Sequence, residues 1–470
     1  MQGLNRQNIP TQPQLTPKII EFGTGNFIRA FANSMIQKLN EETDFKGSVV
    51  MVKPTSSQSN AYKNLLAQNG LYHVITRGIE NGEVVDKSKL ITCVEKVIHP
   101  WLEFEEYLKL AKSETLEVVL TNVTEAGVVF DANDQFSDAP AASSPGKMTQ
   151  LLYERFQHFN GDASKGWIFI PCELLQDNGQ KLRDCILQFV EHWNLGEEFK
   201  NWVINCNTFC DTLVDRIVPG FPHATAAEIK EQLGFDDQLL VAAEPYHIWA
   251  IEAPEKVQQL LPFDKIGLNV RYTDELEKYR TLKVRILNGA HTSMVPVGVL
   301  AGRELVRETV ETSPTKEYVQ DVIFKEILPT LDFPQEELEA YANDVLDRFK
   351  NPFIRHKLLD IALNCVSKFR PRVFSSIVPF YEKFNAIPDN MAKAVAALIY
   401  FYKGEKNPLR DEAKHIEFFG NLWSTYEQNQ DLDALISSVL AYETAWEKDL
   451  NEIKGLKEVV KKHLEGYVNV

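Results

Sequence analysis

The sequence is short of cysteine, of basic charge and of long apolar runs, and each shortage argues against a class of protein. Six cysteines are scattered over 470 residues, at Cys93, Cys172, Cys185, Cys206, Cys210 and Cys365. That is too sparse for a disulfide scaffold. Cys206 and Cys210 have three residues between them and no second Cys/His pair follows them, so they do not read as a zinc site. The ten histidines form no HExxH or other ligand pattern, and no metal is expected. Basic side chains number 50 against 66 acidic ones, a formal net charge of −16. Nucleic-acid binding needs clustered Lys and Arg, so the balance argues against it. No uninterrupted apolar run reaches the roughly 18 residues of a membrane-spanning helix. The N-terminal MQGLNRQNIPTQPQLTP is polar and lacks the apolar centre of a secretory signal. A cytosolic location is expected, without membrane or nucleic-acid partners.

What is present is a globular composition, 44% hydrophobic and 25% charged. Its texture changes along the chain. KIIEF (18–22), SVVMVK (48–53), VVLTN (118–122) and WIFIPC (167–172) are short β-branched runs that read as buried strands. Helical patterns lie between them at 27–40, 101–113 and 147–159. Such alternation predicts βαβ units and a parallel sheet. Residues 71–94 hold two extended runs around Asn81-Gly82, a hairpin signal, expected on the edge of that sheet. From about Thr273 apolar residues recur at three- and four-residue spacing, which predicts helices. The expected fold is α/β: a Rossmann-type, mostly parallel sheet domain (1–272), then an all-α-helical C-terminal domain (273–470). The run EELEAYANDVLDRF reads as a solvated helix face. Residues 131–146, polar and small, are either a surface loop or a flap over a site.

Two motifs carry chemistry. Gly23, Thr24, Gly25, Asn26 and Phe27 follow the first strand at once and open the first helix, the context of a dinucleotide-binding turn. Gly23 permits the turn, and Gly25 lets the backbone approach a pyrophosphate. The third glycine of the full fingerprint is replaced by Ile28. The second strand ends in Lys53, where NAD sites often carry an acid for the ribose hydroxyls. A cation there could instead meet the 2′-phosphate of NADP. Thr124 and Glu125 follow the VVLTN strand, at the strand end where open parallel sheets place ligands.

The second motif is TLKVRILNGAH (281–291). On a regular helix Asn288 and His291 share a face. Lys283 lies about 140° from Asn288 and about 80° from His291, at roughly 100° per residue. A long lysine stem lets the three converge on one small molecule. Their chemistry suits alcohol oxidation without a metal. A partly desolvated lysine can act as general base toward a hydroxyl, and Asn and His donors can hold the developing alkoxide.

GxGNFxRAF, CE followed by DNG, TLVDRIVP, AEPYHIWAIE, KxRxLNGAH and RFKNPFIRH occur in this order along the chain. Together they resemble the long-chain mannitol dehydrogenase family over nearly its whole length. The resemblance implies an NAD-binding Rossmann domain, a helical second domain with the active site in the cleft, and metal-free chemistry. It also implies Lys283 as base, Asn288 and His291 as the oxyanion-binding pair, and Asp215 and Lys368 as substrate contacts. FGTGNFIRAF, TNVTEAG, KGWIFIPCELLQDNG and NPFIRHKLLDIALNCVSKFR look like the branch that interconverts tagaturonate and altronate, more than the polyol or mannonate branches.

Two positions depart from the mannitol pattern. Leu174 stands where an Asn is expected, and Asp360 where an Arg is expected eight residues before Lys368. Both argue against a plain polyol substrate. A sugar-acid substrate carries a carboxylate, so its site must be locally positive. Lys357, Lys368, Arg370 and Arg372 are the candidates, with Arg suited to paired hydrogen bonds. The alternatives are a mannonate or polyol dehydrogenase, a metal-dependent dehydrogenase and a non-catalytic NAD(H) sensor.

Overall fold

The computed structural model of the chain describes residues 1–9, 14–405 and 407–469. It contains two compact units, Met1–Arg77 with Val85–Leu276, and Gly78–Val84 with Glu277–Val470.

In the first unit the β-branched runs form a six-stranded sheet. Its strands are Thr16–Phe22 (β1), Gly47–Val52 (β2), Val94–Ile98 (β3), Val118–Thr121 (β4), Ile168–Pro171 (β5) and Thr208–Phe209 (β6). All neighbours are parallel, in the order β3-β2-β1-β4-β5-β6. Successive side chains alternate between two apolar cores, as a strand covered on both faces requires. Ile19, Val49 and Met51 pack on one side with Phe31, Met35, Ile36 and Trp249. Ile20, Val50 and Val52 pack on the other with Met148, Leu151, Trp167 and Ile186. The strand order reverses between β1 and β4, and ligands bind at such a switch point, beyond the carboxyl ends of the strands.

Two local expectations change and one open alternative narrows. The 71–94 hairpin does form, as Tyr72–Glu80 and Glu83–Ile91, with Asn81 and Gly82 both at positive φ. It is not an edge of the main sheet. It builds a separate three-stranded sheet with Val241–Ala243, a partner from far along the chain. The helix expected at 27–40 is two helices, Asn26–Ala30 and Ala32–Glu42, hinged at Phe31 (φ −99°, ψ −86°). The Phe31 ring turns into the core against Phe27 and Trp249. For residues 131–146 the contacts favour the surface-loop reading, because the segment is tied down by side chains. The Lys147 ammonium donates to the carbonyls of Ala141, Ala142 and Ser143. The Asp134 carboxylate accepts the amides of Ala142 and Ser143, and Gln150 donates to the carbonyls of Phe136 and Asp138.

The AEPYHIWAIE motif is structural within this unit. Glu244 accepts the amide of Ile217, and Trp249 is fully buried. His247 donates from Nδ1 to the Pro245 carbonyl and accepts the Asn269 amide at Nε2, each at 3.1 Å, so the bonds require a neutral ring. Burial, then Arg216, pushes its pKa down to about 4. The unfolded imidazole takes up a proton below about 6.5 and the folded one does not. His247 therefore withdraws on the order of 3 kcal/mol of stability as pH falls from about 6.5 to 4. In His247→Gln, thermal midpoints are expected to show a deficit near pH 7.5 that narrows by pH 5.

The second unit is helical. Gly289–Leu300 is mostly apolar and buried on every side from Gly289 to Gly298, which makes it the central helix. Asp389–Phe401 packs against it and against Leu456–Val468. The run read as a solvated face is the helix Gln335–Phe349, and only half of it is solvated. Leu338, Tyr341, Ala342, Val345, Leu346, Arg348 and Phe349 are buried. Among the described residues, three segments adopt π-helical turns: Lys283–Asn288, Val322–Ile327 and Arg370–Phe374.

Candidate active site

The helix that begins at Leu276 widens to a π-helix over Lys283–Asn288 before continuing as Gly289–Leu300. This changes the expected geometry. In a π turn the hydrogen bonds run from i to i+5, so residue i+5 lies nearer to residue i around the axis than in a regular helix. Lys283 and Asn288 are five apart. The 140° separation of a regular helix therefore does not apply, and Asn288 lies closer to the Lys283 face. His291 follows three residues later. The wide turn is held from outside by Arg285, whose Nε donates to Ser376 Oγ at 2.7 Å and Nη2 to Thr330 Oγ1 at 2.6 Å. Burial pushes the pKa of that guanidinium down to about 10.

His291 is the most constrained member. Its ring is buried, with centroids 4.3 Å from Phe349 and 5.2 Å from His356. Its Nε2 is buried with no hydrogen-bond partner among the described residues. Burial and then the neighbouring His356, Arg348, Arg372 and Lys368 hold its pKa well below the usual histidine value. The ring is neutral at pH 7 and keeps an unsatisfied nitrogen for something the protein itself does not supply.

The other expected substrate residues fall differently. The Lys368 ammonium donates to the carbonyls of Ile361 and Leu363, and burial, then Arg372, lowers its pKa. Arg370 does not join this group. It leaves the helix surface and ion-pairs with Glu447 at 2.6 Å, both side chains well exposed. Asp360 pairs with Arg410 on the surface, and Lys357 is exposed. Arg372 turns inward, its Nη1 3.4 Å from Thr292 Oγ1, one residue beyond His291. Phe349, Arg348 and His356 had no role in the sequence reading. Their one signal was the RFKNPFIRH segment, which carries all three.

In the first unit, Gly23, at the end of β1, has φ +152°, and a Cβ there would lie 2.9 Å from the Asn122 carbonyl oxygen on the neighbouring strand's end. Only glycine fits both constraints. A Cβ on Gly25 would meet nothing within 4 Å, so the backbone is open where the turn enters Asn26–Ala30. That helix start has no side-chain cap, leaving its amides available. Thr24, Asn26 and Phe27 flank the opening. Lys53 ends β2 beside it, buried, its ammonium 2.5 Å from Thr55 Oγ1 and 3.4 Å from Ser57 Oγ. Burial lowers its pKa. Thr124 and Glu125 are exposed just past β4. Glu173 accepts the Val123 amide and the Thr121 hydroxyl, each at 2.8 Å, and so fixes the ends of β4 and β5 to one another. Asp215 is buried at the end of Asp211–Asp215, opposite Ile248.

A doubly wound sheet with an open glycine turn, together with a helical unit bearing a Lys–Asn–His turn, is the architecture of a long-chain dehydrogenase. Residues 17–265 match the mannitol dehydrogenase Rossmann domain and 275–468 the mannitol dehydrogenase C-terminal domain. The chain belongs to the mannitol dehydrogenase family.

Among its relatives, altronate oxidoreductase of Yersinia enterocolitica is 41% identical, covering 100% of this chain and 98% of that one. Altronate oxidoreductase of Escherichia coli is 42% identical, covering 99% and 97%. Among solved structures, a substrate-free D-sorbitol dehydrogenase shares the fold at TM-score 0.78 and 21% identity, covering 98% and 97%. Pseudomonas fluorescens mannitol 2-dehydrogenase, in a ternary complex with NAD and D-mannitol, does so at 0.65 and 21%, covering 99% and 97%.

Proposed function

We propose that the chain is an NAD-dependent oxidoreductase that interconverts D-altronate and D-tagaturonate. The observation that carries the chemistry is the π turn holding Lys283 and Asn288, which leads directly to the unsatisfied Nε2 of His291. The substrate follows from the full-length relatives named altronate oxidoreductase.

The open turn Gly23–Phe27 and the strand ends at Lys53, Thr124 and Glu125 fit a dinucleotide and would hold it. The chemistry such a cofactor would supply is hydride exchange with the substrate's carbinol carbon. The rest of the chemistry belongs to the chain. Lys283 takes the hydroxyl proton during oxidation and returns it during reduction. Asn288 and the Nε2–H tautomer of His291 donate to the same oxygen and stabilise it as negative charge develops. His291 is a poor proton carrier, because burial holds it neutral at working pH, so proton transfer falls to Lys283. Asp215 and Lys368 are substrate contacts in this reading, with Lys368 also fixing the loop at Ile361–Leu363.

The test is NADH oxidation with D-tagaturonate, beside D-fructuronate, D-fructose and an NADPH control. Turnover with tagaturonate alone supports the reading. Turnover only with fructuronate or fructose moves the enzyme to a sister specificity, and no turnover with any of them removes the reading.

Lys53 gives a separate prediction. Its ammonium is the cation nearest in sequence to the ribose end of the expected cofactor site. A hydrogen bond to a charged group contributes about 1.5–3 kcal/mol, so Lys53→Ala should lower NADPH kcat/KM about tenfold or more. NADH kcat/KM should change less than about threefold. Equal losses with both cofactors would mean that Lys53 serves only the strand end.

A further inference from the structure

We propose that Arg372 receives the carboxylate of the substrate and sets the preference for sugar acids over neutral sugars. The inference rests on the reading of the Lys283–His291 turn as the reaction site.

Three observations point to it. The first is direction. Arg370 and Arg372 share one π turn, yet Arg370 leaves for an exposed pair with Glu447 while Arg372 turns to Thr292, beside His291. The second is proximity of backbones. A Cβ on Gly289 would sit 2.9 Å from the Arg372 carbonyl oxygen, so the turn bearing Asn288 and the turn bearing Arg372 touch at a point where only glycine fits. The arginine is thereby fixed to the reaction turn by main chain as well as side chain.

The third is unspent hydrogen-bonding capacity. A guanidinium has five N–H donors. The buried Arg155 spends its own on the carbonyls of Lys165, Ala111, Ser113 and Leu116. Arg285 uses two of its own, at 2.7 and 2.6 Å, on Ser376 and Thr330. Half-buried Arg372 makes one long hydrogen bond, to Thr292, and no ion pair among the described residues. A planar fork with donors to spare, in a locally positive region of a chain of net charge −16, suits a carboxylate bound through two parallel hydrogen bonds.

A role in stabilising the reacting oxygen makes a different prediction, because it would affect acids and neutral sugars alike. The experiment uses the full chain with NADH and compares kcat/KM for D-tagaturonate and for the neutral ketoses D-tagatose and D-fructose, in wild type, Arg372→Gln and Arg372→Lys. Arg372→Gln should lower the tagaturonate value about 100-fold, mainly through KM, with the neutral ketoses changed less than about threefold. Arg372→Lys should fall between, since it keeps the charge and loses the fork. If neutral ketoses are too slow to read, inhibition by altronate and by altritol replaces them, and only altronate should weaken.

A parallel loss for acid and neutral ligands, or no loss for either, overturns the inference. A wild type inert toward tagaturonate overturns the functional reading instead. Arg372 is then judged on fructuronate, and with no keto acid accepted the inference falls too. Unchanged thermal midpoints exclude a folding defect as the cause.

Discussion

Lys283→Met is expected to lower kcat for tagaturonate reduction by about 10³-fold, with KM changed less than about threefold, the range for removal of a positioned acid–base group. The side chain belongs to the π turn that ends at Asn288, and methionine keeps much of its length and its apolar stem. The loss should therefore be chemical and not structural. Two further readouts separate these. A small primary amine in solution should restore part of the rate, because it replaces the missing base but could not repair a damaged helix. Lys283→Arg should stay as slow as the methionine variant, since a guanidinium does not release its proton in this range. A methionine variant with wild-type turnover removes Lys283 as the base, whatever the other residues do.

His291→Leu should lower kcat by about 10²-fold, the range for loss of one donor to a developing oxyanion. The ring packs between Phe349 and His356, and leucine leaves that apolar seat filled. The informative measurement is the shape of the pH profile. His291 is held neutral by burial and then by the neighbouring His356, Arg348, Arg372 and Lys368, so its own titration is not expected to shape the profile. The leucine variant should therefore be slower at every pH with the profile unmoved. Disappearance of an acid limb would instead make His291 a titrating catalyst and transfer the proton step to it.

How much of this was legible in the sequence follows from which interactions are local. The strands around Gly23 could be read directly, because a strand buried on both faces shows as a β-branched run whatever its neighbours are. Asn81-Gly82 announced its hairpin for the same reason, since the turn needs two residues that accept positive φ. Its partner Val241–Ala243 could not be read, because nothing within the hairpin specifies a strand so distant.

In the helical unit the residue types were legible and their directions were not. A 3.6-residue period set Lys283 and Asn288 apart and could not distinguish Arg370 from Arg372, because both segments are π turns. Arg348 and Phe349 were hidden in a run whose many charges suggested a solvated face. The burial of one side of Gln335–Phe349 comes from what packs on it, which no local pattern records.

The π turn at Lys283–Asn288 makes chain length itself part of the site. A π segment holds within a helix a residue more than a regular winding would accommodate. Removing one residue between Lys283 and Asn288 would keep the lysine, the asparagine and the histidine and relax the stretch to ordinary pitch. Asn288 would then stand four positions from Lys283 in place of five, and every side chain before the deletion would turn by about 100° relative to those after it. A protein drifting by substitution alone can change its substrate and keep this catalytic frame. One that loses a single codon here keeps every reactive group and loses the arrangement that makes them act together.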